Sequence, residues 1–381
     1  MTTANKSARI EVAAALEDPQ WDQFLELASG NHHVQTAQWA ELKSDSGWQV
    51  LRLVIWQGDR IVGGVQILHR LMRFVGRVGY APHGPVIPDS NTRLYEQLFA
   101  ELDAVVRAEN FAYLMIQPPP GADRAVALLR ARGFNPTPLH IAPTATLVID
   151  LRQSPSEWLA AMRSSTRRSI RRSLSSGLTI RVAGEADLPA VYSVLEATGR
   201  RQGFTPAPLA YFRRLWRLFA PSGRLVIFVA ELQGEMVAVE LDIIFGDTVV
   251  SKRAGWSGRH SKLNPTKRLI WAALNWAKQH GYKQYDLEGL DRDLASAIVG
   301  GDSSTLALGP DAFKLGFGGR VIVLPENHEY VYGRITAWAH RNLWLKFVPA
   351  RWRSEVTRLL SDQLYKYLGL VGLLLPEIYS Q

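Results

Sequence analysis

The sequence contains no cysteine. Disulfides, thiolate zinc sites and cysteine nucleophiles are therefore excluded, and nothing hints at an oxidising compartment. It also lacks an unbroken apolar run of the roughly 20 residues that a spanning helix needs. The first residues, Met1-Thr-Thr-Ala-Asn-Lys-Ser7, hold no apolar stretch. No secretory signal is expected, and the cytoplasm is the expected compartment. Walker A, G-x-G-x-x-G, H-E-x-x-H and G-x-S-x-G patterns are absent, and the nine histidines are scattered, with His32-His33 the only adjacent pair. These absences argue against hydrolase triads, zinc chemistry and dinucleotide redox.

What is present fits a folded protein with a sizeable core. The 381 residues are 47% hydrophobic and 21% charged, and that length suggests two or three domains. The net charge of +9 points to polyanionic partners: nucleic acid, nucleotide phosphates or anionic lipid.

Periodicity predicts the same plan twice. In the first half, a helix capped by Asp18 with Pro19 in its first turn precedes a short helix through Trp39 and Leu42. Strands over Val50–Trp56 and Ile61–Leu68 then form a hairpin at Gln57-Gly58-Asp59-Arg60, followed by a helix at Thr92–Asn110 and a strand at Phe111–Ile116. In the second half, helices at Asp187–Arg200 and Leu209–Phe219 precede strands around Gln233-Gly234-Glu235. A helix at Pro265–His280 and a strand at Tyr282–Leu287 follow. The repeat predicts a duplicated α/β unit with mixed central sheets. The expected domains are 1–145, 146–320, and 321–381 as a return strand with C-terminal helices. Those helices, at Tyr330–Phe347 and Ser354–Leu368, would pack on the body or touch an anionic membrane.

Five constellations carry candidate chemistry. In Asp311-Ala-Phe313-Lys314-Leu-Gly316-Phe-Gly318-Gly319-Arg320, an aromatic and a lysine precede three glycines. This reads as a tight loop, with Lys314 at a loop or strand edge and a strand from Arg320. Arg163, Arg167 and Arg171 recur every four residues, which predicts one guanidinium face of a helix suited to phosphate. Thr198 to Phe204 ends a helix and leads to Tyr211-Phe212. Asp286 and Glu288 leave the end of a buried strand, and alternation would put them on one face. Trp39 and Lys43 share a helical face one turn after Gln35.

In register, these stretches resemble the Fem family of peptidoglycan-bridge aminoacyltransferases from about residue 20 to 325. The resemblance is carried by Gln35-x-x-x-Trp39-x-x-x-Lys43, Tyr80-Ala-Pro-His-Gly-Pro85, Thr166-Arg167-x-x-Ile170-Arg171 and Thr198-x-x-Arg201-x-Gly203-Phe204. It continues in Ala277-Lys278-x-x-Gly281-x-x-x-Tyr285-Asp286 and Phe313-Lys314-x-Gly316-Phe317-Gly318-Gly319. The resemblance implies two tandem acetyltransferase-like (GNAT) domains. It implies aminoacyl-tRNA as co-substrate, no metal or redox cofactor, and an amine of a UDP- or lipid-linked muropeptide as acceptor. It further implies that Lys43 and Tyr211 hold the acceptor, with Trp39 and Arg201 alongside, and that Phe313 and Lys314 lie at the transfer centre.

Within that picture Lys314 would stabilise an oxyanion, and Asp286 or Glu288 would assist proton removal. The arginines at 163, 167 and 171 would attract tRNA or acceptor phosphates. Three positions depart from the pattern: Ala207 and Gln117 replace an arginine and an acid, and Lys252-Arg253 stand where a tyrosine is expected. A different acceptor is therefore open. An acyl-CoA donor is an alternative, although Arg259-His-Ser-Lys-Leu-Asn264 lacks the glycines of a pyrophosphate turn. A non-catalytic RNA- or membrane-binding role is the third reading.

Overall fold

The computed structural model describes residues 8–28, 32–72, 75–88, 90–137, 139, 142–302 and 307–332. The expected C-terminal helices lie outside the described residues apart from Tyr330–Tyr332, where Tyr330 and Val331 are strand rather than the start of a helix. The chain divides into two units, Met1–Ala142 with Leu324–Gln381, and Pro143–Val323.

The first unit opens with β1 (Ala8–Ala13), α1 (Pro19–Leu27) and α2 (Ala37–Ser44), then the hairpin β2 (Gln49–Gln57) and β3 (Arg60–Met72). It continues with β4 (Gly76–Ala81), α3 (Thr92–Ala108), β5 (Phe111–Ile116), α4 (Asp123–Ala131) and β6 (Asn135–Thr137). The second unit begins with β7 (Ala145–Asp150), α5 (Pro155–Ala161), α6 (Ser164–Leu174), β8 (Thr179–Val182), α7 (Leu188–Gln202) and α8 (Leu209–Phe219). The meander β9 (Leu225–Leu232), β10 (Glu235–Phe245) and β11 (Thr248–Trp256) follows. Then come α9 (Pro265–Gln279), β12 (Gln284–Asp286), α10 (Arg292–Val299), α11 (Gly309–Leu315) and β13 (Arg320–Val323). The last described strand, β14 (Asn327–Val331), belongs to the first unit.

Each unit is built on a seven-stranded mixed sheet, ordered β1-β2-β3-β4-β5-β14-β6 in the first and β8-β9-β10-β11-β12-β7-β13 in the second. The α/β class and the duplicated plan are borne out. The two orders correspond position by position, and the parallel pairs, β4 with β5 and β11 with β12, occupy the same place. The sixth position is the informative one. Strand β14, reached only after the second sheet is complete, fills it in the first sheet; β7, the first strand past the first unit, fills it in the second. The helices cover the sheets with apolar faces of helical period, such as Leu94, Leu98, Leu102 and Val106 on α3 and Leu269, Ala273 and Ala277 on α9.

The parallel pairs differ in one respect that matters below. In the first unit the pairing runs to Ala81 opposite Ile116. It then continues through Gln117 N–H to Ala81 O (2.9 Å) and Gly84 N–H to Gln117 O (2.9 Å). In the second unit only Thr248, Val249 and Val250 pair with β12, while β11 runs on to Trp256. The two strands part after Val250 and Asp286.

Polar residues pin the first unit. Fully buried Arg52 donates to Gln66 Oε1 (2.8 Å), Ala15 O (2.6 Å) and Leu16 O (3.0 Å). Gln35 donates to Pro82 O (2.7 Å) and Gln66 O (3.1 Å), and accepts from Gln66 N–H (2.8 Å). The glutamine of the first motif therefore ties the start of α2 to β3 and to the proline-rich loop. Replacing Arg52 with Met strands these acceptors and is expected to destabilise the first unit by roughly 2–4 kcal/mol, read as a shifted urea midpoint.

Candidate active site

Lys314 sits in the last turn of α11, not at a loop or strand edge. Pro310 at the first turn and Asp311 beside it start this short helix, and the glycines that argued for a loop end it. Two of those glycines are required by space. Gly318 (φ 72°) and Gly319 (φ 102°) lie so close to neighbouring backbone that a Cβ would come within 2.8 Å of Ala161 O and 2.7 Å of Val148 O. The chain can thus drop from α11 straight into β13 against β7. Phe313, also on α11, packs edge-to-face on Phe317 with ring centroids 5.3 Å apart.

The Lys314 ammonium donates to two backbone carbonyls, Glu288 O and Gly289 O (2.6 Å for the latter). An ammonium has three N–H donors, and the third of Lys314 has no partner among the described residues. Burial pulls its pKa below the ordinary lysine value, opposed by the charges of Asp311, Glu288, Glu240 and Asp286.

Those acids gather where β11 and β12 part. Asp286 accepts a hydrogen bond from Thr146, and burial pushes its carboxyl up to about 7 despite that bond. Glu288 is held by Lys252, whose Nζ lies 2.8 and 2.9 Å from its two oxygens. Deeper in the sheet, Glu240 and Asp242 stand two residues apart on β10, 1% and 0% exposed. Ser251 donates to Glu240, and the Tyr285 hydroxyl donates to Asp242 at 2.9 Å. Burial and the neighbouring Asp242 raise the Glu240 pKa well above the carboxylate range, while burial lifts Asp242 to about 7. A protonated Glu240 donating to Asp242 is consistent with both directions.

The other expected residues fare differently. Arg163 is not on the helix face: it caps α6 with extended backbone, and its N–H donates to Gly316 O (3.0 Å). Arg167 turns back to the end of α5, donating to Leu159 O (2.8 Å) and Met162 O (3.3 Å). That satisfies helix-end carbonyls that would otherwise lack donors. Arg163 and Arg171 are exposed, as are Arg168 and Arg172. Arg201 stacks over Trp256 at 4.8 Å and donates to its carbonyl and to Ala197 O (3.0 Å), which clasps α7 onto the end of β11. Tyr211 is partly buried on α8 against Phe212. Lys43 and Trp39 belong to the first unit, with the ammonium 5.0 Å from the indole centroid.

Glu240, Asp242, Ser251, Tyr285, Thr146 and Lys252 escaped the sequence reading as site residues. For Glu240 and Asp242 a signal existed: two acids at a spacing of two inside Val237-Ala-Val-Glu-Leu-Asp-Ile-Ile-Phe245, a run that otherwise reads as a strand buried on both faces. For the basic elements the signal was the absence of acids. No Asp or Glu stands between Glu157 and Glu185, or between Asp247 and Asp286.

Comparison with known proteins places this geometry. Residues 16–125 match the FemAB family, and residues 160–300 match an acetyltransferase (GNAT) domain. The chain is thus similar to the FemAB family over the first stretch and to a GNAT domain over the second. This bears out the resemblance carried by the motifs. A lipid II:glycine glycyltransferase of Staphylococcus saprophyticus is 24% identical over 237 residues, 59% of this chain and 57% of that protein. The Staphylococcus aureus protein of the same name is 22% identical over 298 residues, 74% and 70% of the two chains. This chain therefore spans little more than half of the first relative. In three dimensions the crystal structure of FemX aligns with a TM-score of 0.75 at 17% identity, over 87% of this chain and 99% of that one. A tandem GNAT protein from the clavulanic acid biosynthesis pathway aligns at 0.52 and 12% identity, over 86% and 99%. Both likenesses establish the tandem GNAT-type fold.

Proposed function

We propose that this protein transfers an aminoacyl group from aminoacyl-tRNA to an amine of a peptidoglycan precursor, with Lys314 as the oxyanion-stabilising cation. The observation that carries this reading is the Lys314 ammonium: two carbonyls fix it, and one N–H is left to point at a reacting atom. In this reaction the acceptor amine attacks the ester carbonyl, and the carbonyl oxygen gains negative charge that Lys314 stabilises. Collapse breaks the bond to the ribose oxygen, which takes up a proton as the amine loses one. Asp286, titrating near neutrality, is the residue suited to carrying that proton. Glu288, engaged by Lys252, is less suited. No metal or redox cofactor enters the scheme, and aminoacyl-tRNA is the co-substrate.

The names of the glycyltransferase relatives support a lipid-linked muropeptide as acceptor, with a UDP-linked one as the soluble counterpart. Lys43 and Trp39 in the first unit, and Tyr211 and Arg201 in the second, are each proposed as acceptor-binding residues, and Gln117 in the first unit and Ala207 and Lys252 in the second mark where this chain departs from the pattern. The setting is the cytoplasm, with peripheral contact at the inner face of the membrane. No helix among the described residues is long and apolar enough to cross a membrane.

The deciding experiment offers the purified protein radiolabelled aminoacyl-tRNAs and a panel of muropeptides, with acetyl-CoA as a parallel donor. RNase-sensitive label on a muropeptide is the expected result. Transfer from acetyl-CoA alone would make it an ordinary acyltransferase, and tRNA binding without transfer would favour a non-catalytic role. A second prediction concerns α6. Changing exposed Arg168, Arg171 and Arg172 together to Gln is expected to weaken tRNA binding and flatten its salt dependence by roughly 0.9 in log–log slope per lost phosphate contact. Anisotropy titrations at several salt concentrations give that slope.

A further inference from the structure

Lys252 is an odd residue for its strand. Between β10 and β11 the register passes from Leu241 opposite Arg253 to Asp242 opposite Ser251. Lys252 is therefore the extra residue of a β-bulge. Bulges bend a strand and re-aim a side chain. Here the bulge residue lies two residues beyond Val250, the last residue of β11 paired with β12, and its ammonium takes both oxygens of Glu288. The two side chains are 12% and 10% exposed, so the pair is poorly screened by solvent.

The segment that carries Glu288 also carries the two carbonyls that hold Lys314. On one side β7 fastens it, through Leu287 N–H to Leu147 O and Leu290 N–H to Ala145 O, both 2.9 Å. On the other side, where β11 no longer pairs with it, the Lys252–Glu288 contact takes the ladder's place. Two lysines thus meet one residue, Lys252 at its carboxylate and Lys314 at its carbonyl. They are electrostatic competitors. Without Lys252, the nearly buried Glu288 carboxylate has no cation, and Lys314 is the neighbouring one already attracted to it. Lys314 would leave the carbonyls for the carboxylate, and its third N–H would no longer be available to a developing oxyanion.

We infer that Lys252 is a positioning residue of the transfer centre: by occupying the Glu288 carboxylate it keeps the Lys314 ammonium on the backbone carbonyls. This rests on Lys314 acting as the oxyanion cation. The groups that bear on Lys314 are Asp311 on its own helix, Glu288 and Asp286 at the end of β12, and Glu240 on β10.

Two readouts test it. The first needs no activity: competitive labelling of Lys314 with a small acid anhydride across pH, followed by mass spectrometry. Lys252→Met is expected to raise the pH at which Lys314 becomes reactive, and Lys252→Arg is expected to leave the profile close to that of the native protein. An unchanged Lys252→Met profile overturns the inference whether or not the protein proves to use aminoacyl-tRNA. The second readout is kinetic. Lys252→Met is expected to lower kcat about tenfold, with KM for both substrates little changed. Adding Glu288→Gln, which removes the competing charge, is expected to restore much of that loss. A merely structural salt bridge predicts no rescue, and a double variant as slow as Lys252→Met refutes the positioning role. If the native protein transfers nothing from either donor class, the functional reading fails, while the labelling comparison still decides the coupling of Lys252 to Lys314.

Discussion

Lys314→Met is expected to slow aminoacyl transfer roughly 10²–10³-fold with KM nearly unchanged, the size of effect seen when one oxyanion donor is removed. Methionine keeps the length of the stem and its packing on α11 while deleting the charge and all three donors. The carbonyls of Glu288 and Gly289 then lose their partner. That loss is expected to cost about 1–3 kcal/mol of stability, so a thermal melt must accompany the kinetics. Lys314→Arg is not expected to rescue the rate. The planar guanidinium spreads its charge over a wider fork, and a site built for a compact ammonium between two adjacent carbonyls does not accept it without moving the 288–289 segment. A folded Lys314→Met variant with native kcat would reduce Lys314 to a cap for that segment and remove it from the chemistry. The predicted separation of kcat from KM follows from the proposed role, because charge on the carbonyl oxygen exists only on the way to the tetrahedral intermediate.

How far the sequence disclosed this site depended on how local each signal was. The strands around Gln233-Gly234-Glu235 and the helix Leu209–Phe219 were legible because their periods are expressed within a few residues. The strand exchange was not. Nothing near Asn327–Val331 says that it inserts between β5 and β6, and the bond from Tyr113 to Glu329 (2.7 Å) joins residues 216 apart. Lys314 was found as a residue but misplaced on a loop, because the glycines that end α11 dominate the composition around a helix only seven residues long. The Arg163, Arg167 and Arg171 spacing suggested one face. However, Arg163 precedes the helix and Arg167 is drawn to the carbonyls ending α5, an interaction that depends on how two short helices meet. Lys252 drew notice only as a departure from a pattern. Its bulge is a property of two strands together and is invisible in either one.

Asp242→Asn is expected to raise the stability of the second unit relative to the native protein increasingly as pH rises from about 4 to about 7, by up to about 1.4 kcal/mol per pH unit. In the folded state the Asp242 carboxyl is raised to about 7, chiefly by burial, whereas an unfolded aspartate titrates near 3.9. Between these values the folded state holds a proton that the unfolded state has released. Stability from this group is therefore complete below pH 4 and lost as pH climbs through 7. Asp286, also raised to about 7, adds in the same direction and stays in the variant as an internal reference. Carboxylates held low by arginine, such as Asp150 and Asp187 at about 2, act oppositely but have reached their full effect by about pH 5. The window from 5 to 7 thus isolates the buried acids. Asparagine keeps the geometry: its oxygen accepts from Tyr285 and its amide donates to Glu240, so the hydrogen bonds survive while the titration disappears. Asp242→Leu keeps neither, leaving the Tyr285 hydroxyl and Glu240 buried without that partner, and is expected to cost several kcal/mol at every pH. Urea titrations of the three proteins at half-unit pH steps separate the cases. Parallel curves for native and Asp242→Asn protein would mean that Asp242 is ionised in the folded state throughout this pH range.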